Sequence, residues 1–219
     1  MSKSECTKKT TSDSFELEFD YYIKEPQGAA ERVFLLLHGF SQRGERLLKK
    51  LSGVIPSNAV AISPNAPFPA PFKVDNGYLE AYAWYFYLAK ENRFVIPPGP
   101  AVKALKNLIQ KLGLEKLPVT IIGFSQGGYL APVVAKELPV DFIISVSADY
   151  LPKYYSKDSK FKLHAIHGAK DEVTPLETSK KNLETLKRDF GIDADFHELP
   201  NTRHEVDDEA VRVIAQILK

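Results

Sequence analysis

A single cysteine, Cys6, stands among 219 residues, so no disulfide can close within the chain. Its place in the polar stretch 1–13 marks it as a bystander. Neither sign of charge dominates: 29 basic residues against 28 acidic ones leave a net charge of +1, with only short pairs such as Lys8-Lys9 and Lys180-Lys181. Nucleic acid and anionic membranes are therefore poor candidates as principal partners. Long apolar runs are missing too. None approaches the roughly 20 residues of a membrane span, and Lys3 has no apolar segment behind it that would make a secretory signal. No histidine or acidic spacing resembles a metal-ligand set, and no lysine follows the glycines as a nucleotide-binding loop requires. These absences predict a cytoplasmic protein that works without metal or cofactor, and they leave its oligomeric state open.

What is present is enough for one sizeable core and short for two: 44% of the residues are hydrophobic. The expected organisation is a polar tail over 1–13 and a single domain over 14–219. Phe15, Leu17, Phe19 and Tyr21 alternate with polar residues, which predicts a half-buried antiparallel first strand. The pattern then changes to continuous apolar runs at 33–37, 59–62, 119–122, 142–146 and 163–166. Such strands belong in a sheet covered on both faces. Helical spacing separates them at 45–51, 102–112, 127–138, 176–190 and 208–218, and a last strand is read at 194–199. Strands alternating with helices predict a mostly parallel, doubly wound α/β sheet. Thr174-Pro175-Leu176-Glu177 has the pattern of a capping box at the start of the fourth helix. The stretch 64–100 fits neither pattern. It holds seven of fifteen prolines, and from Phe68 to Phe94 it holds nine of twenty-four aromatics. It reads as a long loop at the rim where open α/β sheets bind ligands. Its aromatics, with Tyr150 on the same rim, are either a satellite core or the lining of an apolar pocket. Trp84, Tyr85 and Tyr150 are the candidate substrate-binding residues.

The strand at 119–122 breaks into Gly123-Phe124-Ser125-Gln126-Gly127, the pattern of a nucleophile elbow. A serine in such a strand-to-helix turn is held above the sheet edge with a helix N-terminus aimed at it. Its hydroxyl needs a base, and the base needs an orienting acid. In elbow hydrolases both come later in the chain, acid first. Asp171 follows the strand at 163–166, and His204 lies between the last strand and the last helix. Connections of this kind all leave a parallel sheet at the same rim. Asp149 is the rival acid, while His164, His167 and His197 sit within or beside strands. Two backbone N–H groups are candidates for an oxyanion hole: that of Gln126, and that of Phe40 in the loop after the strand at 33–37.

These motifs together resemble the phospholipase/carboxylesterase family of α/β-hydrolases, which includes the acyl-protein thioesterases. Leu37-His38-Gly39-Phe40, Pro64-Asn65-Ala66-Pro67, Trp84, Gly123 to Gly128, His167-Gly168 with Asp171, and His204 occur in that family's order. The resemblance implies an α/β-hydrolase fold without a cap domain, a Ser125–Asp171–His204 triad and oxyanion positions at Phe40 and Gln126. Two departures bear on substrate. Ser41-Gln42-Arg43-Gly44 replaces the usual Gly-Asp-Thr-Gly, and Arg203 replaces the glycine before the histidine. The expected activity is cleavage of small carboxylic esters or thioesters with short or medium acyl chains, through an acyl-serine. The alternatives are a non-catalytic small-molecule receptor on the same fold, which would often lack a triad member, and an acyltransferase, which would share every residue named here.

Overall fold

The computed structural model describes residues 18–219. The chain order is β1 (Tyr21–Lys24), β2 (Arg32–Leu37), α1 (Gly44–Leu51) and β3 (Ala59–Pro64). Six short strands follow: β4 (Phe68–Pro69), β5 (Phe72–Val74), β6 (Gly77–Leu79), β7 (Tyr82–Ala83), β8 (Phe86–Leu88) and β9 (Arg93–Ile96). Then come α2 (Gly99–Lys111), β10 (Val119–Phe124), α3 (Gln126–Val134), β11 (Val140–Val146), β12 (Lys162–Gly168), α4 (Leu176–Thr185), β13 (Ala194–Leu199) and α5 (Asp208–Ile217).

Seven strands form one sheet in the order β1-β3-β2-β10-β11-β12-β13. Only β1 is antiparallel, pairing Tyr21 with Pro64 and Lys24 with Ala61; all other pairs are parallel. The antiparallel first strand therefore exists but lies later than the alternation from Phe15 to Tyr21 suggested. Phe15, Leu17 and Cys6 fall outside the described residues.

The central parallel strands are largely apolar because successive residues feed two different cores, whereas the parallel edge strand β13 carries exposed Asp195 and Glu198. Val33, Leu35 and Leu37 of β2 pack with Leu105 and Ile109 of α2, Leu130 of α3 and Leu183 of α4. Phe34 and Leu36 point the other way, onto Leu47 and Leu51 of α1 and Ala210 and Ile214 of α5. Each fully buried leucine contributes about 1.5–3 kcal/mol. β2 lies between β3 and β10, so the winding of the sheet reverses there. The loops leaving the carboxyl ends of β2 and β10 flank that switch point, the place where open α/β sheets hold their ligands. No described helix is long and apolar enough to cross a membrane.

The stretch 64–100 is not the open loop that its prolines suggested. It folds into three antiparallel ribbons, β4 with β7, β5 with β6 and β8 with β9. Each strand is two to four residues long, too short for alternation to stand out in a sequence window.

Candidate active site

Ser125 joins β10 to α3 with φ 49° and ψ −116°, a conformation that costs a non-glycine residue about 1–3 kcal/mol. The turn is fixed from both sides. The Ser125 N–H donates to the Val146 carbonyl at 2.8 Å, and the Ser125 carbonyl accepts from the Tyr129 N–H at 3.0 Å. Gly127 is required by close approach: a Cβ there would lie 2.0 Å from the Leu37 carbonyl oxygen. The elbow thus packs directly against the end of β2, and Ser125 remains partly open to solvent.

His204 Nε2 lies 2.9 Å from Ser125 Oγ, and His204 Nδ1 lies 2.8 Å from Asp171 Oδ2. The loops carrying the two groups are joined. The Ala169 N–H donates to the Leu199 carbonyl, the Lys170 N–H donates to the Thr202 carbonyl, and a Cβ on Gly168 would sit 2.2 Å from that same Thr202 oxygen. The Asp171 side chain is fully buried. Burial pushes its carboxyl up, but the Thr174 N–H, the His204 ring and the Val173 N–H outweigh that and hold it below its ordinary value. A carboxylate on Nδ1 fixes the proton there and leaves Nε2 bare toward the serine. The rival acid is turned elsewhere: Asp149 Oδ1 accepts from Asn182 Nδ2 at 2.8 Å and from the Tyr150 N–H at 2.7 Å.

The predicted capping box at 174–177 does not form. α4 begins at Leu176, with Pro175 at the N-cap position and no side-chain cap bond. Thr174 is committed to the acid loop instead. Its N–H donates to Asp171 Oδ1 at 2.8 Å, beside that of Val173 at 2.9 Å, and its hydroxyl turns to the Ser147 carbonyl.

Gln126 is the first residue of α3, so its main-chain N–H belongs to the positive end of that helix. Its side chain has a role that sequence reasoning missed. Oε1 accepts from the Trp84 N–H and Nε2 donates to the Tyr85 carbonyl, both at 2.8 Å. The aromatic segment is thereby bolted to the residue after Ser125. Phe40 lies in the loop after β2 with its ring half exposed and edge-on to Phe86 at 5.8 Å. That loop is held by buried His38, also missed. His38 Nε2 accepts from the Ala66 N–H at 2.9 Å, so the ring proton sits on Nδ1, which donates to the Gly39 carbonyl at 2.7 Å. Burial lowers its pKa to about 4, against a smaller upward pull from the Gly39 bond. The available signal was the pairing of Leu37-His38-Gly39-Phe40 with Pro64-Asn65-Ala66-Pro67, which carried no role by itself.

Of the three aromatics expected to line a pocket, Trp84 and Tyr150 are enclosed in the core, 1% and 0% exposed. Trp84 is drawn inward because its indole N–H finds the His38 carbonyl at 2.8 Å. Tyr85 alone is partly exposed, against Phe94. Two surface depressions of about 420 and 470 Å³ lie away from Ser125. One is at the opposite rim near Arg32 and Asp141, and the other is between α2 and α3. Among the described residues no group of three or more His, Cys, Asp or Glu is placed to hold a metal ion.

A model of the phospholipase/carboxylesterase family matches residues 20–219. The chain belongs to that family. Among solved structures, this phospholipase/carboxylesterase family member is similar to esterase PE8, at 22% identity over 92% of this chain and 98% of that one, TM-score 0.71. It is similar to Zea mays acyl-protein thioesterase 2, at 18% identity over 91% and 97%, TM-score 0.68. A carboxylesterase from Mesorhizobium loti gives 19% identity over 93% and 95%, TM-score 0.69. At such identities the likeness establishes the shared fold, an α/β-hydrolase sheet with no separate cap. Comparison with curated protein sequences gives no significant match.

Proposed function

We propose that this family member is a serine hydrolase that cleaves carboxylic esters or thioesters with short or medium acyl chains. The observation that carries the reading is the unbroken line from Asp171 through His204 to Ser125, with contacts of 2.8 and 2.9 Å. His204 Nε2 takes the hydroxyl proton as Ser125 Oγ attacks the carbonyl carbon. The tetrahedral oxyanion is received by the N–H groups of Gln126 and Phe40, of which each such donor is worth about 2.7–4 kcal/mol. Collapse breaks the bond to the leaving alcohol or thiol, which departs with the proton from His204. Water then attacks acyl-Ser125, gives its proton to the same nitrogen, and releases the acid and the free serine. Among the described residues no cap domain stands over the partly open Ser125, which favours small acyl groups.

Ser125→Ala should abolish turnover of p-nitrophenyl acetate and labelling by a fluorophosphonate probe. Retention of either above a few per cent of wild type removes Ser125 from the mechanism. Esters of increasing chain length, with a thioester in parallel, define the acyl and leaving groups.

A further inference from the structure

His167 is a buried histidine that the proposed chemistry does not use. It is the last residue but one of β12, its side chain is 0% exposed, and its ring lies nearly parallel to that of Phe196 on the neighbouring strand, 6.3 Å away. Nε2 faces two acceptors, the Thr174 carbonyl at 2.9 Å and Asp171 Oδ2 at 3.5 Å. An imidazole nitrogen facing only acceptors carries its proton there. Nδ1 is buried without a partner, so the ring presents one N–H and aims it at the acid loop.

We infer that His167 is a positioning residue for the triad acid: its Nε2–H, donated to the Thr174 carbonyl and with Asp171 Oδ2 3.5 Å away, anchors the loop that sets the place of the carboxylate that orients His204. The inference rests on the Ser125–His204–Asp171 reading. Both carboxylate oxygens are supplied with donors. Oδ1 accepts the N–H groups of Val173 and Thr174, while Oδ2 accepts from His204 at 2.8 Å and has the His167 N–H on a second side. A buried carboxylate held by several N–H groups stays ionised and fixed in direction. Thr174 is the link between the two ends of this arrangement, since its N–H binds Oδ1 while its carbonyl is held by His167. Without His167 the 171–174 loop loses the anchor that turns the carboxylate toward His204.

The test compares two amides of similar size that differ in reach. In His167→Gln the side-chain N–H falls near the place of Nε2; in His167→Asn it falls near Nδ1 and cannot reach the Thr174 carbonyl. Both are assayed with p-nitrophenyl acetate across pH 5–9, with urea unfolding and Ser125→Ala in parallel. Loss of the one hydrogen bond to the Thr174 carbonyl corresponds to about tenfold in rate at most if it is felt fully in the transition state. We expect His167→Asn to lose about tenfold in kcat with KM unchanged and to shift the acid limb of the kcat/KM profile, while His167→Gln stays within about threefold of wild type with the wild-type profile. Equal behaviour of the two folded variants, or a wild-type profile in His167→Asn, overturns the role. If His167→Asn does not fold, a tenfold loss in folded His167→Gln overturns it as well. Failure of the underlying reading is separate, because only then does Ser125→Ala keep its activity.

Discussion

Replacing Asp171 by asparagine is the sharpest test of how the acid acts. The structure fixes the orientation of the new amide. Two backbone donors, the N–H groups of Val173 and Thr174, sit 2.9 and 2.8 Å from Oδ1, so the amide oxygen must face them and the NH2 must occupy the place of Oδ2. That puts an N–H donor against His204 Nδ1, 2.8 Å away in the wild type. The ring can accept it only by moving its proton to Nε2, which then points a hydrogen at Ser125 Oγ and has no lone pair to take one. The fold should change little, because both backbone bonds survive and the His167 N–H, 3.5 Å from Oδ2, keeps its acceptor in the Thr174 carbonyl. Activity should fall about 10⁴-fold, the size of the effect when the orienting acid of a serine–histidine pair is neutralised without moving it. That is about 5 kcal/mol of transition-state stabilisation. The assay is kcat for p-nitrophenyl acetate, read beside urea unfolding of the same preparations. Asp149→Asn is the matched control: its carboxylate serves Asn182 and the Tyr150 N–H, so kcat should stay within about threefold. An Asp171→Asn enzyme with more than a tenth of wild-type activity, or an Asp149→Asn enzyme that is the one disabled, would refute the reasoning.

His38 predicts a pH dependence of stability. Its folded pKa of about 4 lies below the 6.5 of the unfolded chain, so the unfolded state takes up the proton first; stability is complete above pH 6.5, falls as pH drops, and levels off near 4. The whole step is about 3 kcal/mol and about 2 by pH 5. It should appear as a wild-type unfolding free energy that falls by that much more than in His38→Gln between pH 8 and 5; parallel curves would remove the assignment. Gly127→Ala should prevent recovery of folded, active protein, since the new Cβ has 2.0 Å to the Leu37 carbonyl oxygen, whereas Gly53→Ala meets nothing within 4 Å and should unfold within about 0.5 kcal/mol of wild type. Gln126→Ala strands the buried Trp84 N–H and should cost about 1–3 kcal/mol in urea unfolding, while the retained backbone N–H at 126 keeps the loss in kcat below tenfold.

The parts of this molecule that were legible in the sequence are those whose causes are local. An apolar strand covered on both faces advertises itself in five consecutive residues, as Val33–Leu37 does, and the elbow is a turn whose shape needs small residues within two positions of Ser125. The order acid then histidine gave Asp171 and His204, because strand ends of a parallel sheet share a rim. Asp149 met the same criterion, and only coordinates separate the two: one carboxylate faces His204, the other α4.

What was missed has its cause in a different loop. Gln126 takes its meaning from Trp84 and Tyr85, 42 and 41 positions away; His38 takes its meaning from Ala66, 28 positions on. No window of sequence contains both halves of either bond. Thr174 shows how such contacts override a correct local preference. A threonine N-cap is worth about 1 kcal/mol to its helix, and α4 forgoes it. The Thr174 N–H instead helps hold an ionised, buried carboxylate, and hydrogen bonds to a charged group are worth about 1.5–3 kcal/mol. In a capping box that N–H would go to the Glu177 carboxylate; it goes to buried Asp171 instead, and the Thr174 hydroxyl, turned to the Ser147 carbonyl, does not cap α4. The same logic extends to Ser125, whose strained backbone is held by Val146 and Tyr129. At this rim local propensity yields wherever a buried polar bond between loops is the stronger claim, and those bonds fix the direction of each group facing the serine.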